Sequence, residues 1–141
     1  MKKQIQVSEE VLAEMHRHAL AVFPNECVGF FYGQSSEGAK NVTEYSPLEN
    51  SKEGDQRRRF EVNPLDYMKA ERYALSNQVE LLGVFHSHPL HPAIPSEHDL
   101  KQAVPFFSYI IVSVNENQVE NTASWQLNEE NQFEEELLNS N

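Results

Sequence analysis

The sequence predicts an α/β domain, a mixed β-sheet flanked by helices. Three observations carry this. Apolar residues recur at helical spacing in two segments, near 8–22 and 64–76. Short runs rich in aromatic and β-branched residues stand between and after them. The helical and strand patterns are interspersed along the chain, which favours helices packed on a sheet over separate all-α and all-β units.

The first helix is expected from Ser8 to Val22. Ser8 is a suitable N-cap, and Glu9 and Glu10 suit the positive end of the helix dipole. Val11, Leu12, Met15, Ala19 and Val22 form its apolar stripe, and Pro24 closes it. CVGFFYG, from Cys27 to Gly33, reads as a buried strand, followed by another near Asn41 to Tyr45. SPLENSKEGDQ is turn-rich and is expected to be an exposed loop. RRFEV, from Arg58 to Val62, has the pattern of a further strand. Pro64 then starts a helix to about Ser76, with Leu65, Met68, Arg72 and Leu75 at helical spacing. Val79 to His88 reads as a central strand stopped by Pro89. LHPAIP is a proline-stiffened loop, and Ser96 caps a short helix in SEHDLKQAV. Strands follow at Tyr109 to Val114 and Thr122 to Leu127.

Length and composition suit one domain with its own core: 141 residues, 39% hydrophobic and 23% charged. The domain is assigned to residues 1–128, and the acidic segment 129–141 is expected to be a solvated tail, with an added edge strand as the alternative. No apolar run approaches the roughly 18 residues needed to span a bilayer. The N-terminus lacks the apolar stretch of a signal peptide, so a cytoplasmic setting is expected. A net charge of -11 disfavours nucleic acid as a partner. The single cysteine, Cys27, excludes an internal disulfide and a thiolate-rich metal site, and is expected to be a small buried apolar residue.

The chemistry concentrates after residue 85. His86 and His88 stand two apart on a predicted strand, so both imidazoles leave one face. Pro89 then lets the chain turn away, which makes that strand end a natural place for two zinc ligands. His16 and His18 share the spacing but lie on a predicted helix, where residues two apart do not face each other, and are read as surface histidines. A catalytic zinc site takes three protein ligands and water, and Asp99, near the start of the helix that Ser96 caps, is the best candidate for the third. Glu26, beside the CVGFFYG strand, is the candidate base, since a carboxylate there can take and return a proton. Ser96 is the candidate donor to an oxyanion. Each has a plainer reading: hydrogen-bonded core histidines, a solvated glutamate, and a capping box in Ser96-x-x-Asp99.

Taken together, His86-x-His88, seven residues, Ser96-x-x-Asp99, with Glu26 upstream before Gly29, resembles the signature of the JAMM (MPN-plus) metalloproteases. With 6 His, 12 Ser and 3 Asp in the chain, random placement yields this four-residue spacing roughly 0.0005 times, so chance is a poor explanation. The resemblance implies a fold akin to that of cytidine deaminases. It implies Zn2+ held by His86, His88 and Asp99, with Glu26 and Ser96 as the catalytic pair. It further implies hydrolysis of a peptide or isopeptide bond after the terminal Gly-Gly of a ubiquitin-like protein. The compact length favours the prokaryotic type, whose substrate would be a ThiS- or MoaD-type sulfur carrier. Its tail is expected along an exposed strand edge, in a channel that suits glycine.

Two other classes are weighed. Metal-free members of the family serve as protein-binding scaffolds, but a scaffold has no need of the intact five-residue set. A zinc deaminase would carry H-x-E…P-C-x-x-C, which is absent. His91 and His98 are expected near the site, at its surface or behind it. Arg57, Arg58 and Arg59 form the one basic cluster, read as solvated charge or as a receptor for a partner's carboxylate. The oligomeric state is left open by the sequence.

Overall fold

The computed structural model describes residues 3–50, 52–56 and 59–140. In chain order its elements are β1 Gln4–Val7, α1 Glu9–Val22, β2 Val28–Ser36, β3 Ala39–Leu48, α2 Pro64–Asn77, β4 Glu80–Pro89, α3 Glu97–Gln102, β5 Ser108–Val114, β6 Val119–Leu127 and β7 Phe133–Ser140. The α/β class and the mixed character of the sheet hold: β1–β3, β1–β7 and β4–β5 are parallel and the other pairs antiparallel. A sheet simply flanked by helices does not describe it. The strands close into a barrel in the order β1-β3-β2-β4-β5-β6-β7, with β7 returning to β1.

Two segments make the closure, one with no strand expected and one expected first as a tail and only alternatively as an edge strand. QIQV alternates, and its Ile5 and Val7 are fully buried in the barrel core. The acidic segment expected as a solvated tail is strand β7 over most of its length. It lies between β6 and β1, with Glu136 and Leu138 turned inward. The ring is not paired along its whole length: β1 covers only residues 39–42 of β3, and among the described residues 43–48 have β2 as their one strand neighbour.

Three faces are buried. The barrel interior holds Ile5, Val7, Phe31, Val42, Phe85, Ile110 and Val112, and the stripe of α1 (Val11, Met15, Ala19) packs into it. Ser8 caps α1 as expected, accepting from Val11 N at 3.3 Å. His16 and His18 are not plain surface groups. His16 Nε2 meets Thr122 Oγ1 at 3.0 Å and His18 Nδ1 meets the Tyr45 hydroxyl at 2.6 Å, fastening α1 to β6 and β3. Burial lowers the pKa of both.

On the outer face of β2, β4 and β5, α2 covers Val28, Phe30, Phe60, Val84 and Tyr109. Asn63 caps it with Oδ1 on Leu65 N at 2.9 Å, and Pro64 opens it. The stripe expected to face the core faces solvent instead: Leu65, Met68 and Leu75 are 58%, 49% and 82% exposed. The buried face is Ala70 and Ala74, with Tyr67 packed beside them. Small side chains let the helix approach aromatic strands closely, and apolar periodicity alone does not distinguish that face from the bulkier one. A third, smaller cluster joins Ala93 to Ile111, Ala123 and Trp125.

The strand expected over Arg58 to Val62 is not formed at residues 59–62, which run as irregular chain. Arg57 and Arg58 lie outside the described residues, and Arg59 is exposed.

Candidate metal centre

The outer face of β4 sets the site. Period-two alternation turns Phe85 into the barrel and His86 and His88 outward, where both are buried, at 0% and 6% exposure. After Pro89 the chain runs through residues 90–95 to α3, and Ser96 caps that helix. The cap is a full capping box. Ser96 Oγ accepts from Asp99 N at 3.1 Å, and Ser96 N donates to Asp99 Oδ2 at 2.8 Å. The plainer reading of Ser96-x-x-Asp99 is therefore true as well: the cap fixes the orientation of the carboxylate.

Asp99, 3% exposed, reaches both rings. Oδ1 lies 3.3 Å from His86 Nε2 and Oδ2 lies 3.1 Å from His88 Nε2. Burial pushes the Asp99 carboxyl up, but the two imidazoles outweigh it and hold the group well below the usual carboxylate range. Burial lowers His86 against the opposing pull of Asp99. Burial also acts to lower His88, but the hydrogen bond and charge of Asp99 raise it above its ordinary value.

Glu26 joins from the other side. It lies two residues before β2 and is 3% exposed. One of its oxygens and the ring nitrogens of His86 and His88 lie within 4.8 Å of one another. Burial pushes its carboxyl up to about 8, His88 opposing and Asp99 adding to the rise.

These residues fit a metal. Two ligands about 2.05 Å from one ion at the tetrahedral angle stand about 3.3 Å apart, and the two separations, from His86 to Oδ1 and from His88 to Oδ2 of the one carboxylate, are close to that size. Among the described residues, the buried Nε2 of His86 and Oε1 of Glu26 have no hydrogen-bond partner. A cation accepts lone pairs that no protein donor meets. His88 Nδ1 donates to the Pro92 carbonyl at 2.8 Å, the outer contact that orients a ligating imidazole, so a cation would take the place of the Nε2 proton that now meets Asp99. Glu26, His86 and His88 form a rival ligand trio. Asp99 fits the third position, because its oxygens lie 3.3 and 3.1 Å from the two rings and it is held ionised beside them.

The cluster opens on a cleft of about 310 Å³ lined by Glu26, His88, His91, Pro92, Ile94 and Ser96. Residues 8–128 match the family described as prokaryotic homologs of the JAB domain. The chain belongs to this prokaryotic branch of the JAMM family. Over 105 residues this JAB domain is 31% identical to a protein from Thermus thermophilus named "Probable TtuB-protein conjugate cleaving protease", spanning 74% of this chain and 67% of that one. Two solution structures share its architecture. One, from Desulfitobacterium hafniense, is 28% identical, covers 98% of this chain and 93% of its own, and has a TM-score of 0.86. The other, from Salinibacter ruber, is 29% identical over 96% and 91%, with a TM-score of 0.71. Peptidase chemistry attaches to the JAB domain at the level of the family.

The structure brings together all five residues the sequence singled out, His86, His88, Asp99, Glu26 and Ser96. It also adds others. Phe60 stacks on His86, with ring centroids 4.4 Å apart, and its carbonyl accepts from His98 Nε2 at 2.9 Å and Gln102 Nε2 at 2.7 Å. His98 thus works behind the site, whereas His91 lines the cleft. The loop expected to be merely exposed holds Glu26 in place: Glu26 N donates to the Gln56 carbonyl at 2.7 Å, and Asn50 Nδ2 donates to the Glu26 carbonyl at 3.3 Å. Asn50 also binds the Arg59 carbonyl and the amides of Lys52 and Glu61. The only sequence signal for this was the asparagine in a turn-rich stretch. Cys27 is buried as expected, its thiol pushed up to about 12 by burial.

Proposed function

We propose that this JAB domain is a zinc metallopeptidase that cleaves an amide or isopeptide bond following the C-terminal Gly-Gly of a ubiquitin-like or ThiS/MoaD-type carrier. The observation that carries the proposal is the buried meeting of His86, His88 and Asp99, with Glu26 beside them at the head of an open cleft. The name of the Thermus relative, which specifies cleavage of a protein conjugate, supports the substrate class.

His86, His88 and Asp99 would hold the zinc. When bound, zinc supplies Lewis-acid polarisation of the scissile carbonyl and a water of lowered pKa. Glu26 takes the proton of the attacking water and delivers it to the leaving amine. Its burial suits a group that must hold a proton near neutral pH and then release it. Ser96 Oγ accepts from Asp99 N, which leaves its own O–H free to donate to the carbonyl oxygen as charge develops there. One such donor contributes roughly 3 kcal/mol. The substrate tail lies in the cleft formed by residues 91–96, and His91 and Ile94 flank it.

The test uses the zinc-loaded protein and a carrier joined through its Gly-Gly terminus to a lysine amine, with release followed by mass spectrometry. Glu26→Gln is expected to keep zinc and abolish cleavage. His88→Ala is expected to lose both. A Glu26→Gln protein as active as wild type would refute the assignment of the base. Stoichiometric zinc with no cleavage of any such conjugate would favour a non-catalytic scaffold.

A further inference from the structure

The barrel end remote from the metal cluster carries a second set of buried polar groups. Ser108 pairs with Gly83 of β4, so this set lies about 16 Å along the sheet from His88 at the strand rise per residue. Ser108 and Ser124 are fully buried, and Glu136 and Gln126 are 3% and 7% exposed. Lys40 Nζ reaches in from β3 and donates to Ser108 Oγ and to the Phe106 carbonyl, both at 2.7 Å. Ser124 Oγ donates to Glu136 Oε1 at 2.9 Å. Polar groups placed where leucines would fill a barrel cost stability unless something answers them.

Hydrogen-bond capacity is left over. Lys40 uses two of its three N–H groups, Glu136 one of its two oxygens, and among the described residues the Gln126 amide uses none of its donors or acceptors. These groups line a cavity of about 120 Å³, with Lys3 at its rim. That volume equals about four waters, enough for the five heavy atoms of an amino-acid backbone. A larger hollow of about 530 Å³ shares Lys3 and Gln126 with it and is walled by Phe106, Glu129, Glu130 and Glu134. Phe106 is 81% exposed and sits at φ 72, a strained conformation for a side chain that nothing covers.

We propose that this end of the barrel binds a free basic α-amino acid, arginine or lysine. Its carboxylate is received by Lys40 and Lys3, its ammonium by the open oxygen of Glu136, and Gln126 bridges the two. The side chain extends into the hollow, where three glutamates and the ring of Phe106 suit a cation. A simple anion would meet Glu136, and a simple amine would meet two lysines, so neither satisfies both halves. Burial, with the charge of Lys3 adding, holds Lys40 down to about 8 against the pull of Glu136 and Glu80.

The experiment is ¹⁵N NMR on the full zinc-loaded chain, titrated with L-arginine, glycine and L-glutamate. Arginine is expected to saturate with a dissociation constant on the order of 1 mM or below. The shifts should fall at residues 35–40, 124–126 and 136, not at 86–99. Glycine is expected at the same place about 10-fold more weakly, and glutamate not to bind. Lys40→Met should abolish binding. Gln126→Leu removes an amide with no protein partner, so the fold should survive while binding weakens about 10-fold. The proposal is overturned by an absence of saturable shifts at this end, by shifts confined to 86–99, by glutamate binding as well as arginine, or by unchanged binding in Gln126→Leu.

Discussion

Glu26 offers a direct measure of how hostile its surroundings are to charge. In the unfolded chain its carboxyl titrates near 4.5, and in the fold burial raises it to about 8. The native state therefore holds a proton that the unfolded state has released throughout that window. Stability from this group is complete below pH 4.5 and is lost as pH rises toward 8. The difference of about 3.5 units at 1.36 kcal/mol each sets a ceiling near 5 kcal/mol, and structural relaxation makes roughly 2–5 kcal/mol the expected loss.

Glu26→Gln keeps the shape and removes the titration. Denaturant unfolding of both proteins, stripped of metal, is compared at several pH values between 4 and 8. The variant's advantage should be absent at pH 4 and grow to about 2–5 kcal/mol by pH 8. Asp99 and the histidines titrate in both proteins and cancel in the difference to first order. Zinc should shrink the advantage, because a cation beside the carboxylate restores its ionised form. A difference that stayed flat from pH 4 to 8 would show that Glu26 is solvated in the fold, and the reasoning from burial would fail.

Three further outcomes follow from named contacts. Ser87→Ala strips the acceptor from the buried Cys27 amide, now met at 2.8 Å, and should cost about 1–3 kcal/mol, read as a fall in Tm of roughly 4–12 °C. Asn50→Ala frees the Glu26 carbonyl and should lower kcat on a conjugate about 10-fold or more while zinc content stays stoichiometric; equal loss of zinc would show a general collapse of the site instead. Leu75→Ala, at an 82% exposed position, should leave stability within about 0.5 kcal/mol, whereas Ala74→Glu, one residue earlier, should lose more than about 2 kcal/mol; thermal melts distinguish them.

The meeting of the candidate residues was more legible than the closure of the sheet. His86-x-His88 on a strand is a period-two statement, and Ser96-x-x-Asp99 is a cap, so local geometry alone put each pair on one face. What the sequence does not carry is the reach between segments. Phe60 against His86 and Asn50 against Glu26 are contacts across long separations, made by irregular chain whose residue types have no periodicity to read. The barrel closure was hidden for a different reason. In Phe133–Ser140 the adjacent Glu134 and Glu135 both face water, and the inward Glu136 adds another carboxylate where an apolar residue would have betrayed a strand. In α2 the bulky stripe misled because the packing surface is made of alanines.

The residue between the two histidines explains how β4 can present the candidate ligands and also hold the segment that carries Glu26. The β2–β4 ladder runs to Val28 opposite His86 and there ends as a regular pairing. One step further, Ser87 N still donates to the Cys27 carbonyl at 3.2 Å, but it is the Ser87 hydroxyl, not a backbone carbonyl, that accepts from Cys27 N at 2.8 Å. A side chain of that length stands in for the missing rung, so the chain leaving β2 is held to the sheet for one residue more than backbone pairing allows. The next residue out is Glu26, which the Gln56 and Asn50 contacts then fix from the far side. Alternation makes the two jobs compatible: the positions flanking Ser87 point outward to Asp99, and Ser87 itself points back to anchor the segment that carries the carboxylate. An alanine there would leave the imidazoles where they are and loosen only Glu26, so the proposed metal ligands and the proposed proton carrier can be separated by a change at a position outside both the cluster and the cleft lining.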